Sequence, residues 1–333
     1  KSASHSAQLF VRPKVKALTA FYTGCIIGDK IQLEIETMPE NTECYFYSMN
    51  PEILSVDENG LVTVLAEGTA TVVVSAKNAV EQSIVFTSKA WQAPATDSQS
   101  LLDEATEKLN SVKSDMPRLI RSTSSVFTNF YMSRPSSELS ASDLEEMFID
   151  FAKPSTVVVS KVSATETEAE KLSYRKNIPV SGSSLAILSG LTADDLQSAR
   201  FIDEGKATYD IVLTLKSESM TSPSYDSTST RHGKVFDILS GPVLDSYINT
   251  LNSGSSTDSG KLEVTYSSFS QNYSNSAVTV TIDKITGEIE HISYDMNIAV
   301  NISNLNISMG IITAIDSDLA FNVNNKIEID VIN

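Results

Sequence analysis

The sequence has very few of the residues from which reactive sites are usually built, with two cysteines, three histidines and one tryptophan among 333 residues. Zinc sites need Cys and His at short, characteristic spacings. His5, His232 and His291 have no such spacing to one another or to a cysteine. The same isolation disfavours a histidine-assisted nucleophile. We therefore expect solvated or loop histidines and no zinc site.

Common enzyme motifs are missing as well. The sequence has no G-x-S-x-G elbow, no Walker loop and no G-x-G-x-x-G turn. The acidic neighbours Glu145-Glu146 and Asp194-Asp195 fall in the predicted first turns of helices, where carboxylates interact favourably with the helix dipole. This interpretation outweighs a catalytic carboxylate pair. We predict that the protein is not an enzyme and that it has no catalytic and no cofactor-binding residues.

Long apolar runs are also missing. No run reaches the ~18 residues that a membrane-spanning helix needs, so the sequence predicts no transmembrane segment. It opens KSASHSAQLF, without Met and without an apolar signal core. We expect a signal or anchor segment to be absent from this sequence.

Basic residues are outnumbered by acidic ones, 25 to 42, which gives a net charge of -17. Residues 1–90 hold 7 basic and 10 acidic residues, and the remainder holds 18 and 32. The second part is therefore the acidic one. Such a surface repels phosphate backbones and anionic lipid headgroups, which argues against nucleic-acid binding and electrostatic membrane docking.

The sequence contains only fragments of calcium-binding loops. Asp57-x-Asn59-Gly60 and Asp316-x-Asp318 cluster oxygen ligands, but neither has the terminal Glu of a twelve-residue loop, so we expect no metal ion.

The two cysteines do not suggest a disulfide. Cys25 and Cys44 lie at opposite ends of a predicted strand of ~9 residues, or ~30 Å, whereas bridged Cα atoms must approach to ~6 Å. We expect two thiols that pack as small apolar residues.

The first quarter of the sequence contains short apolar strands separated by Gly-containing turns. Ile31, Leu33 and Ile35 alternate with polar residues, the period of a half-buried strand. The turn Asp57 to Gly60 separates two further apolar runs and is typical of a hairpin. Short strands at ~8 to 12 residue spacing are typical of an all-β Ig-like sandwich.

These residues resemble the bacterial Ig-like domain of group 2 over about residues 14–88. The matching segments are Gly28-Asp29, Leu33 to Glu36, Pro39 to Asn41, Phe46, Ser48 to Pro51, Val56 to Thr63 and Gly68 to Ala70. Phe46 stands where the family usually has Trp, and we expect it to fill the same space in the core. The resemblance implies a secreted or cell-surface setting and no shared catalytic residue.

The rest of the sequence predicts a second domain of mixed structure. Residues 91–99 lose periodicity and gather Pro and Ser, as linkers do, so we predict an Ig-like sandwich at 1–90, a linker at 91–99 and an α+β domain at 100–333. Helices are expected to begin at Ser100, Pro117, Ser142, Thr192 and Pro242. Strands are expected at Ser155 to Val162, at Ala207 to Lys216 and almost throughout from Lys261.

The late strands define the expected architecture of this domain. Glu288 to Val300 and Leu319 to Ile332 alternate apolar residues with Asn, Asp and Ser, which indicates an antiparallel sheet with one wet face. We expect the helices to pack on one face of a curved sheet. The element order and the V-T-I-D-x-x-T-G hairpin at Val280 to Gly287 resemble the half-barrels of bacterial lipoprotein carriers, which can hold an acyl chain.

From these features we expect a non-enzymatic bacterial protein, secreted or at the cell surface, whose Ig-like module presents the α+β domain for binding in adhesion or in the envelope. Its partner would be a protein, a glycan or an apolar ligand. The alternative is a lipoprotein-type carrier of a lipid or acyl chain in the second domain. A cavity lined by Leu, Ile and Phe would favour the carrier, and a cleft with converging polar groups would favour an enzyme.

Overall fold

The computed structural model describes residues 14–17, 24–135, 140–178, 190–205, 207–221, 230–236, 238, 263–309 and 312–332. By packing, the chain falls into two compact units. The first is Lys1–Ala93 with Lys284–Gly287, and the second is Pro94–Asp283 with Glu288–Asn333. The boundaries at 1–90, 91–99 and 100–333 stay a prediction of the sequence.

The first unit is built from short strands in two main sheets. Its strands are β1 (Lys14–Ala17), β2 (Cys25–Ile26), β3 (Lys30–Gln32), β4 (Ile35–Met38), β5 (Cys44–Ser48), β6 (Leu54–Val56), β7 (Leu61–Val64), β8 (Gly68–Ala76) and β9 (Gln82–Lys89). One sheet has the order β2-β9-β8-β5 and the other β3-β7-β6, while β1 pairs with β4. The predicted hairpin is confirmed, because the Asp57 carboxylate accepts bonds from the backbone N–H groups of Asn59 and Leu61, both at 2.9 Å.

The core of this unit takes side chains from both main sheets. Its fully buried members include Leu54, Val62, Val64, Val72, Val74, Ile84 and Phe86. Phe46 is half-buried and packs against this cluster. Gly60 has φ 79°, and a Cβ placed there would lie 3.1 Å from the Phe46 ring, so this glycine provides both the turn and the space for the ring. These features confirm the predicted Ig-like sandwich.

Both thiols of the first unit are free, as the sequence predicted. Cys25 is fully buried, and burial together with the nearby Asp29 charge raises the pKa of its thiol to about 11. Burial also raises the pKa of Cys44. Neither group is a reactive thiolate at neutral pH.

The second unit has three described helices, and they do not all begin where the sequence predicted. They are α1 (Ser98–Asp115), α2 (Ala141–Phe151) and α3 (Glu168–Arg175). The Asp97 side chain caps α1 by accepting from the Ser100 N–H at 3.0 Å, so this helix begins two residues before the predicted Ser100 start. Its buried face includes Leu101, Leu102, Ala105 and Leu109.

The remaining strands form one large sheet within the described residues. They are β10 (Arg118–Met132), β11 (Ser155–Val159), β12 (Leu196–Ile202), β13 (Thr208–Leu215), β14 (Glu218–Thr221), β15 (Glu263–Thr265), β16 (Ser268–Tyr273), β17 (Ala277–Asp283), β18 (Ile289–Met309) and β19 (Ile312–Ile332). The order is β11-β10-β19-β18-β17-β13-β12, with β15 and β16 also on β18 and with β14 on β16. At 21 residues each, β18 and β19 are about 70 Å long.

The helix predicted from Pro117 is wrong, because residues Arg118–Met132 form strand β10. This strand pairs antiparallel with β19 along most of its length and with β11 on its other side. Serine, threonine and phenylalanine predominate in it, and Ser122 and Thr123 exchange hydroxyl hydrogen bonds with Thr156 and Ser155. Pairing on both sides of a β-favouring sequence outweighs its helix-like apolar spacing.

The helix predicted from Thr192 is also wrong beyond its first turn. The capping interaction forms, with the Thr192 N–H donating to Asp195 at 3.0 Å, but only a 3-10 turn at Ala193–Asp195 follows. The chain then continues as β12, paired with β13. The helix predicted from Pro242 lies outside the described residues.

The predicted α+β domain is therefore mostly β. Strands make up 53% of the structure, α1 packs on β12, β13 and β18, and α2 packs on β10. The predicted alternation in β18 is confirmed, because Ile292, Tyr294 and Met296 are buried and the residues between them point to the other face. Among the described residues, no helix is both long and apolar enough to span a membrane.

Candidate functional site

The outer face of the long sheet carries a ladder of polar side chains on β18 and β19. Directly opposite pairs are His291 with Asp330, Ser293 with Glu328, Asp295 with Lys326, and Asn297 with Asn324. We call these eight residues the polar ladder. Since alternate residues of a strand share a face, the ladder runs for about 20 Å along the sheet.

Hydrogen bonds join most neighbours in the polar ladder. Nδ1 of His291 lies 2.7 Å from Asp330, and its Nε2 lies 2.6 Å from Glu328. Lys326 donates to Glu328, and Ser293 donates to the same carboxylate at 3.1 Å. Burial raises the pKa of Glu328, but the bonds from Lys326, His291 and Ser293 outweigh it and hold this pKa below its usual value. Glu328 is therefore an anchoring carboxylate that is ionised at neutral pH.

A second polar cluster is buried around Glu218 at the start of β14. The Glu218 carboxylate accepts bonds from the backbone N–H of Arg231 at 3.1 Å and of His232 at 3.0 Å, and it lies 3.0 Å from Nδ1 of His232. Through these bonds it holds the 3-10 turn His232–Lys234 against the sheet. Arg231 also donates to Asp195 at 3.2 Å. Hydrogen bonds of this cluster therefore connect three segments of the second unit: the turn at Asp195, strand β14 at Glu218, and the segment at Arg231 and His232.

His232 is the most unusual member of this cluster. Its side chain is fully buried and packs against the rings of Tyr273 and Phe236, with centroids 4.6 and 6.0 Å away. Burial lowers the pKa of His232, and the opposing effect of Glu218 does not reverse this. The neutral ring therefore donates from Nδ1 to Glu218. Within the described part of the chain, its Nε2 is buried without a hydrogen-bond partner, so a proton added at Nε2 would find no acceptor there.

The prediction of a solvated histidine is therefore wrong for His232, because its ring is buried against Glu218, Phe236 and Tyr273, which lie 14, 4 and 41 residues away in sequence. His291 lies on the sheet, not in a loop, and His5 lies outside the described residues. No local sequence signal marks Glu218 as the partner of His232. Their contact depends on tertiary folding between β14 and a later segment.

The calcium-like fragments have structural roles in the described chain. Asp57 binds the backbone of its own turn. Asp318 accepts from the Asn304 N–H at 3.1 Å, and the Asp316 N–H donates to Asn306 at 3.0 Å. Within the described residues no group of three or more His, Cys, Asp or Glu is arranged to hold a metal ion. Of the acidic neighbours, Asp195 caps a turn and Glu145-Glu146 lies in α2.

The opposite face of the sheet carries an aromatic cluster in which Phe321 is buried and Phe127 and Phe130 are half-buried. Phe130 stacks on Phe321 at 5.2 Å, and Phe127 lies 6.0 Å from the same ring. The register shift between Thr128 and Tyr131, with Asn129 at φ 58°, is a β-bulge that places one extra residue opposite Phe321. We call Phe127, Phe130 and Phe321 the aromatic patch. It packs on a second core cluster that includes Met132, Leu144 and Leu319.

No curated protein matches this chain. Several solved structures show weak similarity, including the following three. A GH10 xylanase from termite gut that contains a bacterial Ig-like domain is 18% identical over 26% of this chain and 23% of its own, with a TM-score of 0.18. A structure of domains 4 and 5 of the S-layer protein SbsC is 13% identical over 93% of this chain and 96% of its own length, with a TM-score of 0.19. A structure of domains 1–6 of the same protein is 13% identical over 92% of this chain and 27% of its own length, with a TM-score of 0.18. Similarities this weak carry no argument about function.

The chain spans about a quarter of the length of the xylanase. The family comparison is more specific, because residues 42–90 match the model of the Bacterial Ig-like domain (Big-like). The matched segment runs from just before β5 to the end of β9, and it includes the hairpin at Asp57 to Gly60 and most of the strands that build the core. Family match and architecture agree: the first unit of this chain contains a bacterial Ig-like domain.

Proposed function

We propose that this protein is a non-enzymatic bacterial protein, secreted or at the cell surface, in which the Ig-like domain presents the second unit for binding. The family match of residues 42–90 carries the proposal, because domains of this family are typical of secreted and surface proteins. The adhesion or envelope role follows from the same context. The protein would bind a protein or a glycan through the surface of its second unit.

The chemistry of the described residues supports a binding role over catalysis. Both nitrogens of His291 face carboxylates, and the Glu218 carboxylate holds the backbone of a neighbouring turn. These carboxylates bind other groups of the chain itself, which is typical of a structural role. The polar ladder, a fixed row of hydrogen-bonding groups about 20 Å long, is the surface that we assign to partner contacts.

Two experiments test this proposal. Antibodies against the second unit should label intact cells of the source bacterium, and external protease should remove that signal without lysis. Labelling that requires permeabilised cells would overturn the surface location.

The second experiment measures binding of the purified protein to isolated cell-wall preparations. It compares the native chain, Asn297→Ala/Asn324→Ala on the polar ladder, and the control Glu52→Ala on the first unit. Equal binding by all three would remove the polar ladder from the proposal.

A second candidate function is the carriage of an apolar ligand. The aromatic patch favours it, since two of its rings, Phe127 and Phe130, remain partly exposed above the buried Phe321. The neighbouring Ile298, Ile302 and Val323 are also only partly buried. Such a surface could hold an acyl chain. Native mass spectrometry after detergent-free purification should then show co-purifying lipid.

A fluorescent fatty acid provides a sharper measurement for this second candidate. Its binding should weaken at least several-fold in Phe130→Ala, whereas the control Tyr45→Ala, which removes an exposed ring from the first unit, should leave it unchanged. A melting temperature that does not rise with added fatty acid would exclude the carrier function, because a ligand that binds only the folded state must stabilise it.

A further inference from the structure

Beyond the polar ladder, the same face of the large sheet presents uncharged side chains. Two rows of these side chains cross the neighbouring strands β10, β19, β18, β16 and β14, and adjacent members of a row are partners in strand pairing. Since paired strands lie about 4.8 Å apart, each row spans about 19 Å. We call the two rows the neutral face, which consists of Thr128, Asn322, Ala299, Asn272 and Ser219 in one row and Tyr131, Ala320, Asn301, Ser270 and Thr221 in the other.

Tyr131 is the large aromatic side chain of the neutral face, and it is 59% exposed. It directly precedes the buried Met132 on β10 and therefore points to the opposite side of the sheet. Its strand partner is Ala320, whose partner on the other side is Asn301. Asn322 follows Ala320 on the same face of β19. The small alanine thus leaves a shallow depression beside an exposed ring, with amide groups next to it.

The hydrogen-bonding groups of the neutral face are available to a ligand. Within the described chain, the side chains of Tyr131, Asn301 and Asn322 form no hydrogen bond with another residue. In the polar ladder, by contrast, Asn324 donates to Asp295 at 2.6 Å. An amide side chain can both donate and accept. A ligand can therefore bond to the amides of the neutral face without displacing bonds inside the protein.

The charged residues that border the neutral face on β19 are already engaged. Asp318 accepts from the Asn304 N–H at 3.1 Å, and Lys326 donates to Glu328. The neutral face itself is uncharged, although the sequence has a net charge of -17. A charged ligand would lose hydration on this face without gaining an ion pair from it. The face therefore favours an uncharged ligand with many polar groups.

A neutral polysaccharide has this chemistry. Its hydroxyl groups can donate to and accept from amides, and the C–H face of a sugar ring can stack on an exposed aromatic ring. A few polar groups beside an aromatic side chain are enough to orient such a ligand. A protein interface usually has an apolar centre, whereas Ala299 and Asn301 on β18 occupy the centre of the neutral face. A glycan therefore fits this surface better than a protein.

We propose that the neutral face binds a neutral polysaccharide chain, with Tyr131 stacked on a sugar ring and with Asn301 and Asn322 bonded to its hydroxyl groups. This assignment rests on the proposed function, since it names the glycan that a surface protein of this kind would contact. It also separates two parts of one sheet face. The polar ladder is bonded within itself, and the neutral face beside it holds the sugar.

The first test uses the neutral polysaccharide fraction of the cell wall, freed of protein by protease and of charged polymers by ion exchange. The native chain should bind this fraction when it is immobilised on a biosensor. Periodate, which opens sugar rings, should abolish the binding. Binding to the intact cell wall that survives periodate and is lost after protease treatment would identify a protein partner and overturn the proposal.

This probe also distinguishes failure of the neutral face from failure of the proposed function. A chain that binds the intact cell wall but not the neutral polysaccharide fraction would overturn the assignment of the neutral face alone. A chain that binds neither material would contradict the proposed function as well.

Substitutions on the neutral face give the second test. Tyr131→Ala should weaken binding to the polysaccharide about tenfold, as expected when an aromatic anchor is truncated, whereas Tyr131→Phe keeps the ring and should retain most of the affinity. Asn301→Ala/Asn322→Ala should weaken binding several-fold without altering the bulge in β10. The matched control is Tyr45→Ala, which removes an exposed ring from the first unit and should bind like the native chain.

Circular dichroism checks that each variant is folded. Equal binding by the native chain, Tyr131→Ala and Asn301→Ala/Asn322→Ala would overturn the proposal. If Asn297→Ala/Asn324→Ala weakened binding and the substitutions on the neutral face did not, the sugar would contact the polar ladder instead, and the neutral face would be excluded.

Discussion

At the scale of single residues, several carboxylates in this protein hold the backbone in place. Asp57 fixes a hairpin, Asp97 caps α1, and Glu218 binds two N–H groups of a turn. The first two lie next to the groups that they bind, so their sequence surroundings indicate their roles. Glu218 binds residues 13 and 14 positions away, and such a partner is set by tertiary structure alone.

Phe46→Ala should destabilise the first unit by about 2 kcal/mol, less than the ~3 to 5 kcal/mol typical of a fully buried phenylalanine, because the Phe46 ring is only half-buried. The loss arises from the contacts with the core and with Gly60. Urea unfolding of the native chain and the variant measures it. Tyr47→Ala, one position along β5 on the exposed face, should change stability by less than ~0.5 kcal/mol. Equal effects of the two substitutions would contradict the assigned faces of β5.

His232 should make the second unit less stable in mild acid. Burial lowers its pKa in the folded protein below the unfolded value of about 6.5, so the unfolded chain binds the proton more tightly. The free energy of unfolding therefore falls as pH drops through about 6.5 towards the lowered folded pKa. Glu218 adds to the loss further down, because its own folded pKa is also lowered.

His232→Gln tests this pH dependence, because it removes the titrating group at a similar size. Urea unfolding gives the free energy of unfolding at pH 7.5 and at pH 5.5. The difference between these two free energies should be smaller in the variant than in the native chain, whatever the stability of the variant at pH 7.5. His291→Gln is the matched control on the sheet surface. In this variant, the contribution of His232 to the difference in the free energy of unfolding between pH 7.5 and pH 5.5 should remain. An unchanged pH difference in His232→Gln would show that this buried ring does not titrate there.

At the scale of elements, alternation along strands was the most reliable signal in the sequence. It indicated the pattern of β18 and β19 and the strands of the Ig-like domain, because a sheet with one buried face imposes a period of two. It could not reveal β10, whose apolar residues have helical spacing, nor the bulge that turns Phe130 towards Phe321. Both depend on pairing with β19, about 200 residues away. The buried His232 cluster likewise depends on tertiary contacts, here between His232, Glu218 and Tyr273.

The bulge in β10 can be tested at Asn129, which has φ 58°. Glycine adopts this conformation without strain and asparagine tolerates it, whereas a β-branched residue does not. Asn129→Val should cost about 1 to 2 kcal/mol, and Asn129→Gly should leave stability nearly unchanged. Thermal unfolding compares the two variants. Similar losses in both would mean that the asparagine side chain, and not its backbone conformation, is what stabilises the bulge.

At the scale of the whole molecule, each compact unit has a hydrophobic core of its own. The sandwich core lies between the two sheets of the first unit, and the second unit buries apolar residues of its long strands beneath α1 and α2. The cap of α1 also belongs to the second unit, since Asp97 precedes that helix directly. A polypeptide that starts at Asp97 therefore keeps every group needed to begin α1.

From this separation we predict that residues 1–90 and residues 97–333 fold independently, as domains with their own cores can do. Each should be soluble when expressed alone and should unfold in one cooperative transition, and the two transitions should reappear in the intact chain at similar denaturant concentrations. Fragment 97–333 with Asp97→Ala should be less stable by about 1 kcal/mol, because the N-terminal cap of α1 is lost. If fragment 97–333 stayed unfolded while the intact chain folded, the second unit would require the first, and the domain boundaries would have to be redrawn.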